Sequence, residues 1–125
     1  MNQTYQETES VKAQIDRYFD AVYRADIGTL KEIFHPEASM NGFLGDALLI
    51  GSPEPFFADL SSKPSMASQG TDCRGVVTSV RVTGSIAEAT LFVDGFFGAA
   101  CIEDHFHLLR VDGQWRILCK TFTTL

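Results

Sequence analysis

Val11, Ile15, Tyr18, Phe19 and Val22 recur at three- and four-residue steps, with Lys12, Asp16, Arg17 and Asp20 between them. That period gathers the apolar side chains into one stripe of a helix and leaves the charges on its wet side. Thr4-Tyr5-Gln6-Glu7 has the form of a capping box, in which a Thr hydroxyl and a Glu carboxylate satisfy free N–H groups. A helix is therefore predicted from there to Arg24. Asp26 caps a second, shorter helix whose Leu30, Ile33 and Phe34 share a face and which Pro36 stops beyond His35. Short strands are predicted at Ala38 to Phe43 and Ala47 to Ile50, broken by Gly42 and Gly45. Ser52-Pro53-Glu54 then supplies an N-cap, a proline at the first helical position and an early acid, so a third helix should run to Leu60.

Ser61 to Asp72 is rich in Ser, Gly and Pro and has no period, which predicts the longest loop and a lid over whatever the fold binds. Beyond it the pattern changes. Arg74 to Val82, Ile86 to Val93, Ala99 to Arg110 and Gln114 to Thr124 are rich in β-branched and aromatic residues and are separated by Thr83-Gly84, Asp94-Gly95 and Asp112-Gly113. Four strands joined as a meander follow from that spacing, with Gly75, Gly95 and Gly98 as candidate bends that curl the sheet around the helices.

Composition narrows the function classes. With 125 residues and 45% hydrophobic positions the chain can bury one core, and residues 1–125 are expected to form a single domain. A net charge of −6 repels phosphate backbones and anionic lipid, so neither nucleic acid nor a membrane is an expected partner. The first twenty positions carry six charged residues from Glu7 to Asp20 and no uninterrupted apolar run, which makes the cytoplasm the expected location. Cys73, Cys101 and Cys119 are widely spaced, without a C-x-x-C pair, and read as buried or half-buried thiols.

The run from Ala25-Asp26 through Leu30 to Phe34-His35-Pro36-Glu37-Ala38, with Asp104-His105-Phe106-His107-Leu108 and Asp112-Gly113-Gln114-Trp115-Arg116-Ile117, resembles the nuclear transport factor 2-like superfamily. Within it, Asp104, the Asp-Gly-x-Trp-x-Ile turn and Lys120-Thr121-Phe122 look most like the putative lumazine-binding family, with the SnoaL-like polyketide cyclases next. The resemblance implies an α+β fold: a cone-shaped, curved antiparallel sheet of about six strands, two of them short, closed by N-terminal helices in the order α-α-β-β-α-β-β-β-β. It also implies a pocket inside the cone and dimers formed through the sheet. It does not imply one function, because isomerases, dehydratases, cyclases and non-catalytic binders share the scaffold.

Asp104 is the first candidate for chemistry, since it lies on the strand where cyclases and isomerases of the superfamily present an acid-base group. A carboxylate facing an apolar cavity has its pKa raised toward the range useful for proton transfer. The competing reading is an ion pair with Lys120. Two hairpin registers are open: a two-residue type I′ turn at Asp112-Gly113 sets Arg110 opposite Trp115 and Asp104 opposite Thr121. A three-residue loop from Val111 with a glycine bulge instead sets Asp104 opposite Lys120. Tyr18 and Tyr23 lie on or beside the first helix's stripe, and a phenol inside the cone can donate to a ligand carbonyl, as in ketosteroid isomerases of the superfamily. His35 is a further acid-base candidate, although capping the last helical carbonyls is its more ordinary role.

Glu103, His105 and His107 alternate on one strand face, where a half-exposed patch at a dimer surface is favoured over a metal site. No metal and no cofactor is expected, nor is there a P-loop, dinucleotide fingerprint, nucleophile elbow or H-E-x-x-H motif. Ten phenylalanines are unusual weight for so short a chain. A cone lined by Tyr18, Phe43, Phe56, Phe57, Phe96 and Phe106, with Asp104 and Lys120 as its polar groups, suits a flat apolar or heterocyclic ligand. A binding protein is thus the first expectation, a cofactor-independent isomerase, cyclase or dehydratase the second, and a homodimeric interaction module the third.

Overall fold

The computed structural model describes residues 2–125, with side chains from Thr4 onward. Helix α1 spans Asn2–Arg24 and buries Val11, Ile15, Tyr18 and Val22, the stripe that the apolar period predicts. Thr4 and Glu7 lie inside this helix rather than at its start, so they form no capping box. Glu7 instead reaches across the molecule to accept from the Arg110 guanidinium and, at 3.2 Å, from Trp115 Nε1. A carboxylate that bonds two donors on the far hairpin is worth more there than at a helix end that the chain extends past.

Ala25, with φ of 55°, ends α1 by turning the backbone left-handed, and Asp26 opens α2 (Ile27–Ile33) by accepting from Thr29 N at 3.2 Å. The second helix stops before Phe34, which already belongs to β1 (Phe34–Leu44). Pro36 accounts for this, because the residue before a proline is pushed to extended geometry. Strand β2 (Ala47–Gly51) pairs antiparallel with β1, and α3 (Glu54–Ser61) follows, its Glu54 N–H bonded to Ser52 Oγ at 3.3 Å.

The segment expected to be a lid is pinned down. It contains a short helix, α4 (Met66–Gln69), whose Met66 is fully buried and accepts from Phe97 N at 3.3 Å, while Tyr23 OH donates to Thr71 O at 2.8 Å. An aperiodic Ser-rich stretch hid these anchors because each partner is distant in sequence.

Strands β3 (Arg74–Thr83), β4 (Ile86–Phe96), β5 (Ala100–Val111) and β6 (Gln114–Thr124) form the meander, and the whole sheet runs β2-β1-β6-β5-β4-β3. Order and α+β class are those the resemblance implies. However, β1 is eleven residues long rather than short, and it pairs parallel to β6. Asp94-Gly95 is not a turn: Gly95 is a bulge within β4, held so close to Asp72 that a Cβ would stand 2.5 Å from its carbonyl oxygen. Gly75 is regularly paired and makes room for the Phe19 ring, and the bulge in β3 falls at Thr78.

The β5–β6 hairpin turns on Asp112 and Gly113, both at positive φ, so Arg110 faces Trp115 as a two-residue type I′ loop requires. Neither register drawn from sequence persists along the hairpin. Leu118 bulges out between the pairs Leu108–Ile117 and His107–Cys119, which sets Phe106 opposite Lys120 and Asp104 opposite Phe122. One extra residue reverses the side on which every later side chain of β6 points. Lys120 thereby turns to the helix-covered face.

Gly42, opposite Phe122 in the β1–β6 pairing, is packed so tightly that a Cβ would lie 2.0 Å from the Phe122 carbonyl oxygen. Gly42→Ala should therefore destabilise the fold by about 3 kcal/mol, the upper end of overpacking costs. Urea unfolding monitored by Trp115 fluorescence measures this; an unchanged midpoint would show that β1 does not need the close approach.

Candidate functional site

Between the helices and the concave face of the sheet lies a cavity of ≈ 320 Å³. Tyr18, Phe19 and Val22 of α1 form one wall, and Val93, Phe96, Ile102 and Phe122 of the sheet form the opposite one. Pro55, Phe56 and Asp59 of α3 close one side, while Leu44, Leu49 and Ile50 of the β1–β2 hairpin stand at the rim, all of them substantially exposed. The lining is mainly aromatic and aliphatic, the composition expected of a small-molecule site.

Three polar groups stand at the floor. Lys120 and Asp104 are the buried charged residues of the core, 5% and 3% exposed. Lys120 Nζ donates to Tyr18 OH at 2.7 Å and lies 4.5 Å from the Phe56 ring centroid and 5.0 Å from that of Phe122. Asp104 Oδ1 stands 3.8 Å from Lys120 Nζ, close enough for attraction but beyond a hydrogen bond. Among the described residues Asp104 Oδ1 is the buried side-chain polar atom without a hydrogen-bond partner. Leaving such an atom unsatisfied costs about 1–3 kcal/mol in other proteins.

Burial governs how these groups titrate. Removal from water raises the Asp104 carboxyl above its ordinary value, with Lys120 opposing that shift only in part. The same removal lowers the Lys120 amine, against the pull of Asp104, and pushes the Tyr18 phenol well up. Both members of the Asp104–Lys120 pair are thus displaced toward their uncharged forms.

A family profile described as putative lumazine-binding matches residues 6–123. The chain belongs to the putative lumazine-binding family. No curated protein matches this member. Its fold is that of the nuclear transport factor 2-like superfamily. A protein of that class of unknown function from Silicibacter pomeroyi is 28% identical, covers 98% of both chains and superposes with a TM-score of 0.87. A ketosteroid isomerase-like protein from Erwinia carotovora atroseptica is 17% identical over 95% of this chain and 96% of its own, TM-score 0.72. A putative dehydratase from Streptomyces avermitilis is 16% identical over 96% of each, TM-score 0.69.

In this member of the putative lumazine-binding family the sequence candidates separate into two groups. Tyr18, Phe56, Phe96, Asp104 and Lys120 line the cavity. The others do not. Phe43 pairs with Thr123 on the outer sheet face and is 48% exposed. Phe57 and Phe106 are core residues, packed edge-on against Phe34 and Tyr18 respectively. His35 lies outside the cavity and caps no helix carbonyl; its Nδ1 accepts from Glu37 N at 3.0 Å. Glu103 and His105 bond each other at 2.7 Å on the outer face, and no group of three metal-ligating side chains is gathered among the described residues.

Phe19, Met40, Ile50 and Phe122 were not among the candidates, though all line the cavity. Phe19 is offset from the deepest helix stripe, and the side on which Phe122 points depends on the Leu118 bulge. No sequence signal marks Ile50, whose strand shows no alternation of burial.

Because the folded Asp104 pKa is raised, the native state holds a proton that the unfolded chain has lost above its ordinary value of 3.8. Stability from this group is therefore full below 3.8 and declines as pH rises through the folded pKa. Asp104→Asn should remove that decline, so the variant gains on the native chain as pH goes from about 4 to about 7. Urea midpoints across that range test it, and a pH-independent difference would contradict a raised carboxyl.

Proposed function

We propose that this chain, as one domain over residues 1–125, binds a flat, largely apolar or heterocyclic small molecule whose polar edge meets Asp104, Lys120 and Tyr18. The observation that carries the reading is the buried, unpartnered Asp104 Oδ1 at the floor of an aromatic-walled cavity. A ligand N–H or O–H would satisfy it, and the surrounding rings would gain from area removed from water. Membership in the putative lumazine-binding family supports a heterocycle in particular. Three free, half-buried thiols accord with a reducing, cytoplasmic setting, and no helix among the described residues is long and apolar enough to cross a membrane.

The raised Asp104 carboxyl favours one second reading, in which it exchanges a proton with the bound molecule in a SnoaL-like cyclase, isomerase or dehydratase. Related folds described as ketosteroid isomerase-like and as a putative dehydratase are consistent with it. On this reading Tyr18 is the hydrogen-bond donor and Asp104→Asn loses turnover while still binding.

A thermal-shift panel of lumazine, pterins, flavins and steroids separates these from an empty scaffold. The expected result is a raised Tm with at least one planar member, and a binding constant weakened about tenfold in Phe56→Ala, equivalent to about 1.4 kcal/mol. No shift with any member would remove the support for binding.

A homodimer through the sheet is the assembly we propose, supported by Phe43 and Leu48, paired on the outer face and 48% and 58% exposed. Sedimentation at micromolar concentration should show a dimer that Phe43→Glu converts to a monomer. A monomeric native chain would contradict it.

A further inference from the structure

The cavity floor holds more than a binding group. Lys120 lines the cavity with its side chain 6% exposed, and its amine lies among three aromatic rings, with Tyr18 OH at 2.7 Å. Tyr18 accepts from Lys120 in that bond, so the phenol hydrogen stays free to point at a guest. Asp104 stands off at 3.8 Å rather than clamping the amine. A buried structural ion pair closes to contact, because only short, well-directed bonds offset the loss of water around two charges. Both members of this pair line the cavity.

We propose that Lys120 is a nucleophilic amine that forms a Schiff base with an aromatic or cyclic aldehyde or ketone seated in the cavity, with Asp104 carrying the protons. The proposal rests on the reading that this cavity takes a flat apolar molecule, and it names that molecule's reactive group as a carbonyl.

The reaction balances within the site. The Nζ lone pair forms a C–N bond to the carbonyl carbon, and the carbonyl π pair moves to oxygen, which takes the proton of the Asp104 carboxylic acid. Nitrogen then returns a proton to Asp104, giving a neutral carbinolamine. Reprotonation of its hydroxyl by Asp104 breaks the C–O bond and releases water. The product is a protonated imine on Lys120 beside an Asp104 carboxylate, so the starting neutral pair becomes an ion pair with no proton gained or lost overall. The reaction needs an uncharged amine, and a lysine kept from water among apolar groups is the usual means of obtaining one near neutral pH. The directions in which burial moves Lys120 and Asp104 both favour this starting state.

The other lysines provide an internal control, since Lys12, Lys31 and Lys63 are exposed. The chain is incubated at pH 7 with 2-naphthaldehyde and cyanoborohydride, and the naphthylmethyl adducts are mapped by peptide mass spectrometry. In parallel, 2-naphthylmethanol, which has the same ring system without the carbonyl, is titrated by thermal shift. Lys120 should be labelled at least about tenfold faster than Lys12, Lys31 or Lys63. Asp104→Asn should slow that labelling about tenfold while the rates at Lys12, Lys31 and Lys63 stay those of the native chain. If the alcohol raises Tm but Lys120 is labelled no faster than the surface lysines, the Schiff-base proposal is overturned and the binding reading stands. If the alcohol leaves Tm unchanged and Lys120 is not labelled preferentially, both fall.

Discussion

The arrangement depends on a single irregularity in the β5–β6 ladder. Leu118 is an extra residue on β6, and from that point Lys120 and Phe122 face the helices instead of the outer surface. Alternation in a strand has period two, so one inserted residue exchanges the faces of everything beyond it. The bulge therefore serves two needs: Trp115 and Ile117 pack the core near the turn, and Lys120 still reaches the same face three residues later. With a regular ladder the lysine would sit among Glu103, His105 and His107, paired and hydrated like any surface cation.

Placing a lysine and an aspartate inside has a cost that the fold does not fully recover by contact. Among the described residues Lys120 has one hydrogen bond, to Tyr18, and Asp104 Oδ1 has none. A fold selected for stability alone would do better with two apolar residues of similar volume. Retaining a loosely paired couple at the floor of a cavity fits a site whose remaining partner comes from outside. The rigid surroundings suit that role: Phe106 braces Tyr18 edge-on, and Glu7 ties the start of α1 to Arg110 and Trp115 at the turn end of the hairpin. The α1 wall of the cavity is thus held to the strands that carry its polar groups. Access falls to the β1–β2 hairpin, whose Leu44, Leu49 and Ile50 are exposed at the rim, rather than to the anchored segment around α4.

Local patterns determined much of this chain. The 3.6-residue stripe of α1, the Asp26 cap, the Asp112-Gly113 turn and the run of β-rich segments all depend on neighbours within a few positions, and each is present where those patterns place it. Their order was also enough to point to the superfamily and its cone. Tertiary structure decided the rest. Whether Phe43 or Phe56 lines the cavity depends on which face of a strand or helix meets the core, and identical side chains carry no mark of that. Glu7 resembled a capping residue because its actual partners are more than a hundred positions away. The face of Lys120 depended on a bulge that no sequence feature announced, since a leucine in a strand looks the same whether it is paired or extruded. Sequence established that a lysine, an aspartate and a tyrosine were present; only the closed sheet brought them to one floor, because register couples residues through space rather than along the chain.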